Sequence, residues 1–271
     1  MIYDTNGYPV KVDTFTVNHD LNVKAINHRG YSVDAPENTI PAYIMSKKMG
    51  FSYVECDVSF TSDGVAVLLH DNTIDRTSNG SGAISSLTYE EVSSYDFGSW
   101  KSEQYTGTKI PTFEEFIQCC KFLGLYPYIE LKSNGGYTQE MISGIVSTVE
   151  KYGMKGKVTY ISFLSTYLHY VKNADEYARL GYLSVIDQNA MNLANQLKTG
   201  YNEVFMDVSH TNVNDEGIQM CIDNGLPLEL WTINDENTLI SKVTDYVSGV
   251  TSDCLIAGKI LYEKKINEIT D

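Results

Sequence analysis

Eight short β-rich runs recur along the chain, most of them with room for a helix in between. They are KAINH (24–28), YVECD (53–57), PYIEL (127–131), VTYISF (158–163), GYLSVI (181–186), EVFMDV (203–208), LELWTI (228–233) and GVTSD (249–253). Branched and aromatic residues of this kind fit a pleated, half-buried surface. The intervening stretches 40–50, 137–153 and 237–246 carry helical patterns. Thr88-x-x-Glu91 and Thr112-x-x-Glu115 read as capping boxes, which mark helix starts. Eightfold strand–helix alternation predicts an α/β fold, a (β/α)8 TIM barrel of parallel strands ringed by helices. The rival is an open doubly wound sheet, but no GxGxxG or P-loop follows the first strand. At 271 residues the chain is long enough for one large core and short for two, so 1–271 is read as a single domain.

One run falls outside the count. VAVLLH (65–70) follows the second strand after Ser-Asp-Gly, and Asp63-Gly64 is a two-residue hairpin signal. In that register Ser62 pairs with Val65 and Asp57 stands opposite His70, with Cβ atoms ~5 Å apart. Glu55 lies two residues away on the same face. The stretch 71–111 is longer than an ordinary barrel loop and reads as a small insertion or lid after this hairpin. Residues 1–22 read as a cover for the closed end of the barrel.

Lys plus Arg number 20 against 35 Asp plus Glu, a formal net charge of −15. No basic field is available to hold nucleic acid, and an anionic substrate needs local cations. No apolar run approaches the ~20 residues of a membrane span. Five cysteines without CxxC spacing read as free thiols. With no signal peptide visible, the expected compartment is the cytoplasm, or the exterior if a leader has been removed.

Active sites of such barrels lie at the carboxyl ends of the strands. Glu55, Asp57 and Glu130 converge there. Like charges that close need a cation, and all-oxygen ligation favours Mg²⁺ or Ca²⁺ over zinc. The plainer alternative is that these carboxylates pair with Arg29 and Lys132. His28 and His70 stand at the same mouth and suit acid–base work near neutral pH. His19, His169 and His210 read as structural. Arg29 and Lys132 suit a phosphate. Trp231 is a substrate wall or ordinary core.

Taken together, HRG (28–30), PENT (36–39), ExD (55–57), DG (63–64), HD (70–71), ExK (130–132) and WTIN (231–234) resemble the glycerophosphodiester phosphodiesterases over about residues 24–262. The resemblance implies a (β/α)8 barrel. It implies Glu55, Asp57 and Glu130 as metal ligands and His28 and His70 as the acid–base pair. Arg29 and Lys132 become phosphate contacts, and Glu37 of the PENT motif supports the substrate site or orders its loop. Where the family has a TDYP-like run, this chain reads Thr251-Ser252-Asp253-Cys254. The implied reaction is metal-dependent hydrolysis of a glycerophosphodiester to sn-glycerol 3-phosphate and an alcohol. Its rivals are a lysophospholipase D, a phosphodiesterase of teichoic-acid-like polymers, and a non-catalytic binding module. The alcohol, the choice between the two ions and the oligomeric state are not legible.

Overall fold

The computed structural model describes residues 23–133, 135–198 and 200–254. The cover segment expected at 1–22 lies outside the described residues.

Eight parallel strands close on themselves. They are β1 (Lys24–Asn27), β2 (Tyr53–Phe60), β4 (Tyr126–Leu131), β5 (Thr159–Ser162), β6 (Arg179–Leu183), β7 (Val204–Ser209), β8 (Leu228–Trp231) and β9 (Val247–Ser252). Closure is made by β1, which pairs in parallel with both β2 and β9. Helices follow the strands outside: α1 (Ile40–Lys48), α3 (Phe113–Leu123), α4 (Gln139–Lys151), α5 (Ser165–Ala174), α6 (Gln188–Leu197), α7 (Asp215–Asn224) and α8 (Glu236–Lys242). The barrel expected from the alternation is therefore the fold. All five cysteines are free thiols.

Side chains alternate across each strand, so every strand feeds two cores. Outward Val54, Cys56 and Val58 of β2 pack under Phe116, Ile117 and Cys120 of α3. Helix α3 buries these at helical spacing, starts at the Thr112–Glu115 capping box and stops at Gly124, whose φ is 65°. Inward Ile26, Tyr128, Ile161, Leu183 and Phe205 fill the barrel interior. Below them, Glu229 Oε1 accepts from Arg179 Nη2 at 2.8 Å and Lys24 Nζ at 3.2 Å. Gly249 makes room for that carboxylate, since a Cβ there would come within 2.7 Å of it. This ion cluster plugs the barrel interior towards the amino ends, and a cavity lies inside the mouth at the carboxyl ends.

The hairpin is present, but its register differs by one residue from the expectation. Strand β3 (Ala66–Leu68) runs antiparallel to β2 with Val58 opposite Leu68 and Phe60 opposite Ala66. Thr61 N donates to Val65 O at 3.0 Å, so Ser62, Asp63 and Gly64 together form the turn. Gly64 takes φ 81°, the left-handed position that a three-residue hairpin loop requires. The Thr61 hydroxyl also donates to Asp63 and accepts from Val65 N, which favours the longer loop. Asp57 consequently faces Leu69, whose N–H it accepts at 3.0 Å, and not His70.

The insertion contains α2 (Tyr89–Ser94), begun by the Thr88–Glu91 capping box. It has an apolar cluster of its own, made by Val67, Leu69, Ile74, Val92, Phe97 and Ile110. Val67 bridges to Thr112, so the excursion leaves and rejoins the barrel at one place.

Candidate active site

Glu55 and Asp57 project from β2, and Glu130 projects from β4 in register with Asp57. Paired residues of a parallel sheet share a face, so all three carboxylates meet inside the barrel mouth. Each offers an oxygen, and these oxygens lie within 4.8 Å of one another. All three residues are buried. Asp57 accepts from Asn38 Nδ2 at 2.7 Å and pairs with Lys132 Nζ and Arg29 Nε, each at 3.2 Å. Lys132 also reaches Glu130 at 2.9 Å. Glu55 accepts from the Arg29 backbone N–H at 2.9 Å through Oε2, while its buried Oε1 has no hydrogen-bond partner.

The electrostatics follow from this crowding. Burial pushes the Glu55 carboxyl well above the usual range, and the charges of Asp57 and Glu130 push it further. Burial and Asp57 raise Glu130 to about 7. Asp57, against its own burial, is held below the ordinary carboxylate range by Lys132 and Arg29. Two cations beside three carboxylates leave negative charge unmatched. An all-oxygen donor set with an orphaned Glu55 oxygen fits a hard divalent ion, and lacks the nitrogen and sulfur donors zinc favours.

The HRG and PENT segments shape the rest. Arg29 and Asn38 take φ of 55° and 54°, both rare for residues with a side chain. This turn aims the Arg29 backbone N–H at Glu55 and its guanidinium at Glu37, 2.9 Å away. Gly30, at φ 76°, lies so close to α1 that a Cβ would sit 2.7 Å from that of Ala42. Glu37 joins Arg29 to Arg76, which donates to it twice at 2.8 Å. It is therefore engaged by two guanidiniums, and the cavity at the barrel mouth is lined without it.

His28 follows β1, and its Nδ1 lies 2.7 Å from Asp253 Oδ1. Asn234 donates to the other Asp253 oxygen at 2.6 Å. His70 lies just past β3, its Nδ1 2.7 Å from Asp71 Oδ1, and Arg76 Nε donates to Asp71 Oδ2 at 2.7 Å. Carboxylates at both Nδ1 atoms favour the tautomers that leave Nε2 free. Burial lowers the His70 pKa below its ordinary 6.5, opposed by Asp57 and assisted by Arg29 and Lys132.

These groups line one cavity of roughly 300 Å³, with His28, Arg29, Glu55, His70, Glu130 and Lys132 on its charged side. Trp231, Phe163, Ile161 and Leu183 form the opposite wall, joined by Asp207. Asp253 and Asn234 stand in the Thr251–Cys254 and WTIN runs, but nothing in those runs signals their service to His28. Arg76 had no sequence signal, because it lies inside the insertion.

A family model described as the glycerophosphoryl diester phosphodiesterase family matches residues 28–257. The chain belongs to this family. It is similar to a glycerophosphodiester phosphodiesterase of Caldanaerobacter subterraneus, at 29% identity over 236 residues, 86% of this chain and 95% of that protein. Another, from Bacillus subtilis, is 29% identical over 247 residues, 84% of this chain and 82% of that protein. An Oleispira antarctica phosphodiesterase, solved with its product sn-glycerol-3-phosphate, matches at TM-score 0.80 and 27% identity. That match covers 92% of this chain and 99% of the other. As a glycerophosphodiester phosphodiesterase, the enzyme acts on a small-molecule substrate, which suits a cavity of this size. No helix among the described residues is long and apolar enough to cross a membrane.

Proposed function

We propose that the enzyme hydrolyses glycerophosphodiesters to sn-glycerol 3-phosphate and a free alcohol, with His28 and His70 as the acid–base pair. One observation carries the reading. Both histidines line the cavity that also holds Glu55, Glu130, Arg29 and Lys132. Glu55, Asp57 and Glu130 would hold Mg²⁺ or Ca²⁺, which when bound supplies Lewis-acid stabilisation of phosphoryl oxygens.

The chain's own groups do the remaining work. Arg29 and Lys132 bind the phosphoryl oxygens and offset the repulsion of a chain with net charge −15. One histidine Nε2 takes the proton of the attacking oxygen as its bond to phosphorus forms. The bond to the leaving oxygen breaks, and the other histidine protonates that oxygen. Asp71 and Asp253 orient the two rings. His70, with its lowered pKa, enters neutral and suits the base, which leaves the part of the acid to His28. The attacking oxygen belongs to water or to the glycerol 2-hydroxyl, and the second route passes through a cyclic phosphate.

The test is release of sn-glycerol 3-phosphate from glycerophosphocholine and glycerophosphoethanolamine, and of lysophosphatidic acid from lysophosphatidylcholine, by chelated protein with Mg²⁺, Ca²⁺ or neither restored. Phosphorus NMR of the same reactions separates the two attackers. Metal-restored release is expected. Folded protein inert on every substrate would refute the reading. A lysophospholipase D is the second reading. It is favoured by Phe163, 41% exposed beside Trp231 on the cavity wall, and by neighbouring exposed Leu164.

A further inference from the structure

Asp57 is the most fully engaged of the three carboxylates, and one of the groups that hold it is neutral. Asn38 lies in the turn before α1 and is buried. Its Nδ2 donates to Asp57 Oδ2 at 2.7 Å, and its Oδ1 accepts from the backbone N–H of the same aspartate at 3.2 Å. One planar amide thus grips Asp57 by side chain and main chain together. The carboxylate cannot turn about χ1 or χ2 without breaking the first of these bonds. The hydroxyl of Tyr43, buried on α1, donates to Asn38 Oδ1 at 3.1 Å and lies 3.4 Å from the Glu55 carbonyl oxygen. Two donors at the amide oxygen and a carboxylate at its nitrogen fix which way the amide faces. Asn38 makes this grip at φ 54°, a region that asparagine enters more readily than most residues with a side chain. Glycine would suit the backbone but would lose the amide. Aspartate would set an oxygen against Asp57 Oδ2. Strained backbone of this kind persists where the surroundings enforce it, and it gathers at functional sites.

We propose that Asn38 is a positioning residue that fixes the Asp57 carboxylate for a divalent ion, braced from α1 by Tyr43, an inference that rests on the ion site proposed above. Asn38 and Arg29 keep Oδ2 with the protein, and Oδ1 is left as the donor to the ion. Asn38 touches neither substrate nor reacting atoms and acts only through Asp57. The two ions should feel its loss unequally. Mg²⁺ demands near-ideal octahedral geometry, whereas Ca²⁺ accepts irregular and variable ligation. A carboxylate free to turn is therefore a poorer ligand for Mg²⁺ than for Ca²⁺. Removing an outer hydrogen bond of this kind typically lowers metal affinity by about 10–100-fold.

The test is calorimetric titration of the chelator-stripped full chain with Mg²⁺ and with Ca²⁺, for the wild type, Asn38→Gly and Tyr43→Phe, beside thermal melts in chelator. Asn38→Gly keeps the turn, since glycine accepts positive φ. It is expected to weaken Mg²⁺ by about tenfold or more and Ca²⁺ by a smaller factor. Tyr43→Phe keeps the amide and removes its brace, so it should move the two affinities in the same order by less. A residue that served packing alone would lower the melting temperature and leave the preference between the ions where it was. Unchanged affinities in Asn38→Gly, or equal losses for both ions, overturn the proposal. If that variant does not fold, an unmoved preference in Tyr43→Phe overturns it instead. Wild-type protein that binds neither ion removes the ion site and the role of Asn38 together. A shifted preference in protein that turns over no diester would sink the proposed hydrolysis and leave the positioning role standing. Metal-restored turnover with ion binding indifferent to residue 38 would sink that role alone.

Discussion

At the residue scale, the two histidines have similar but unequal neighbours. Each has a carboxylate at Nδ1, but Asp71 shares its charge with Arg76 whereas Asp253 is held by the neutral Asn234. Replacing either histidine by alanine should lower kcat by about 10²–10⁴-fold, the usual yield of a positioned acid or base, with the melting temperature little changed. Steady-state kinetics on both variants checks this, and near-normal rates would exclude the pair. His70 titrates below 6.5 in the fold, so between that lowered value and 6.5 the unfolded chain binds more protons. Stability therefore rises with pH across that window, and the acid limb of kcat/KM should have its midpoint below 6.5. Arg76→Met leaves the Asp71 charge undivided beside His70. The acid limb should then move to higher pH, a shift that loosened packing alone would not produce.

At the scale of elements, the motifs turn out to be backbone devices as much as chemical ones. Gly30 and Gly64 both have positive φ, yet only Gly30 is crowded, by Ala42 of α1. Gly64→Ala meets open space and should cost about 1 kcal/mol of backbone strain. Gly30→Ala adds a clash with α1 and should cost roughly 2–4 kcal/mol. It should also impair catalysis, because Arg29 and His28 belong to the same turn. Urea unfolding of the two variants, with equal costs as the contrary result, decides it. The strands and both capping boxes were legible because they are local patterns: short runs of branched and aromatic residues, and a hydroxyl three residues before a glutamate. The hairpin register was not. Asp63-Gly64 suggested a two-residue turn, whereas the Thr61–Val65 backbone pairing, reinforced by the Thr61 side chain, puts Ser62 in the loop. The carboxylate trio could be read because strand ends in a barrel share one rim. The Arg76–Glu37–Arg29 chain could not, because nothing local says where an insertion folds back.

At the scale of the whole molecule, the barrel concentrates charges that oppose its own folding. Burial and mutual repulsion raise Glu55 and Glu130, so the ion-free protein carries a strained mouth. A divalent ion at 100 times its Kd would stabilise the fold by about 2.7 kcal/mol. Glu55→Gln should act oppositely in the two states. Without ion it should melt at or above the wild-type temperature, since a crowded charge is gone. With ion it should gain less than the wild type. Thermal melts in chelator and in excess Mg²⁺ or Ca²⁺ read both arms, and an equal gain in both proteins would remove Glu55 from the ligand set.

The insertion ends where it begins, at the Val67–Thr112 bridge, and it packs about its own apolar centre. Loop-closure entropy grows only with the logarithm of length. The excursion can therefore lengthen, shrink or be exchanged between homologues like a cassette, while β2 and β4 keep their register beneath it. Its ties to the active centre are few, chiefly Arg76 to Glu37 and Asp71, and Lys101 Nζ to the Ser32 carbonyl at 2.7 Å. A grafted segment that preserved those ties could change what approaches the mouth without redesigning the chemistry within it.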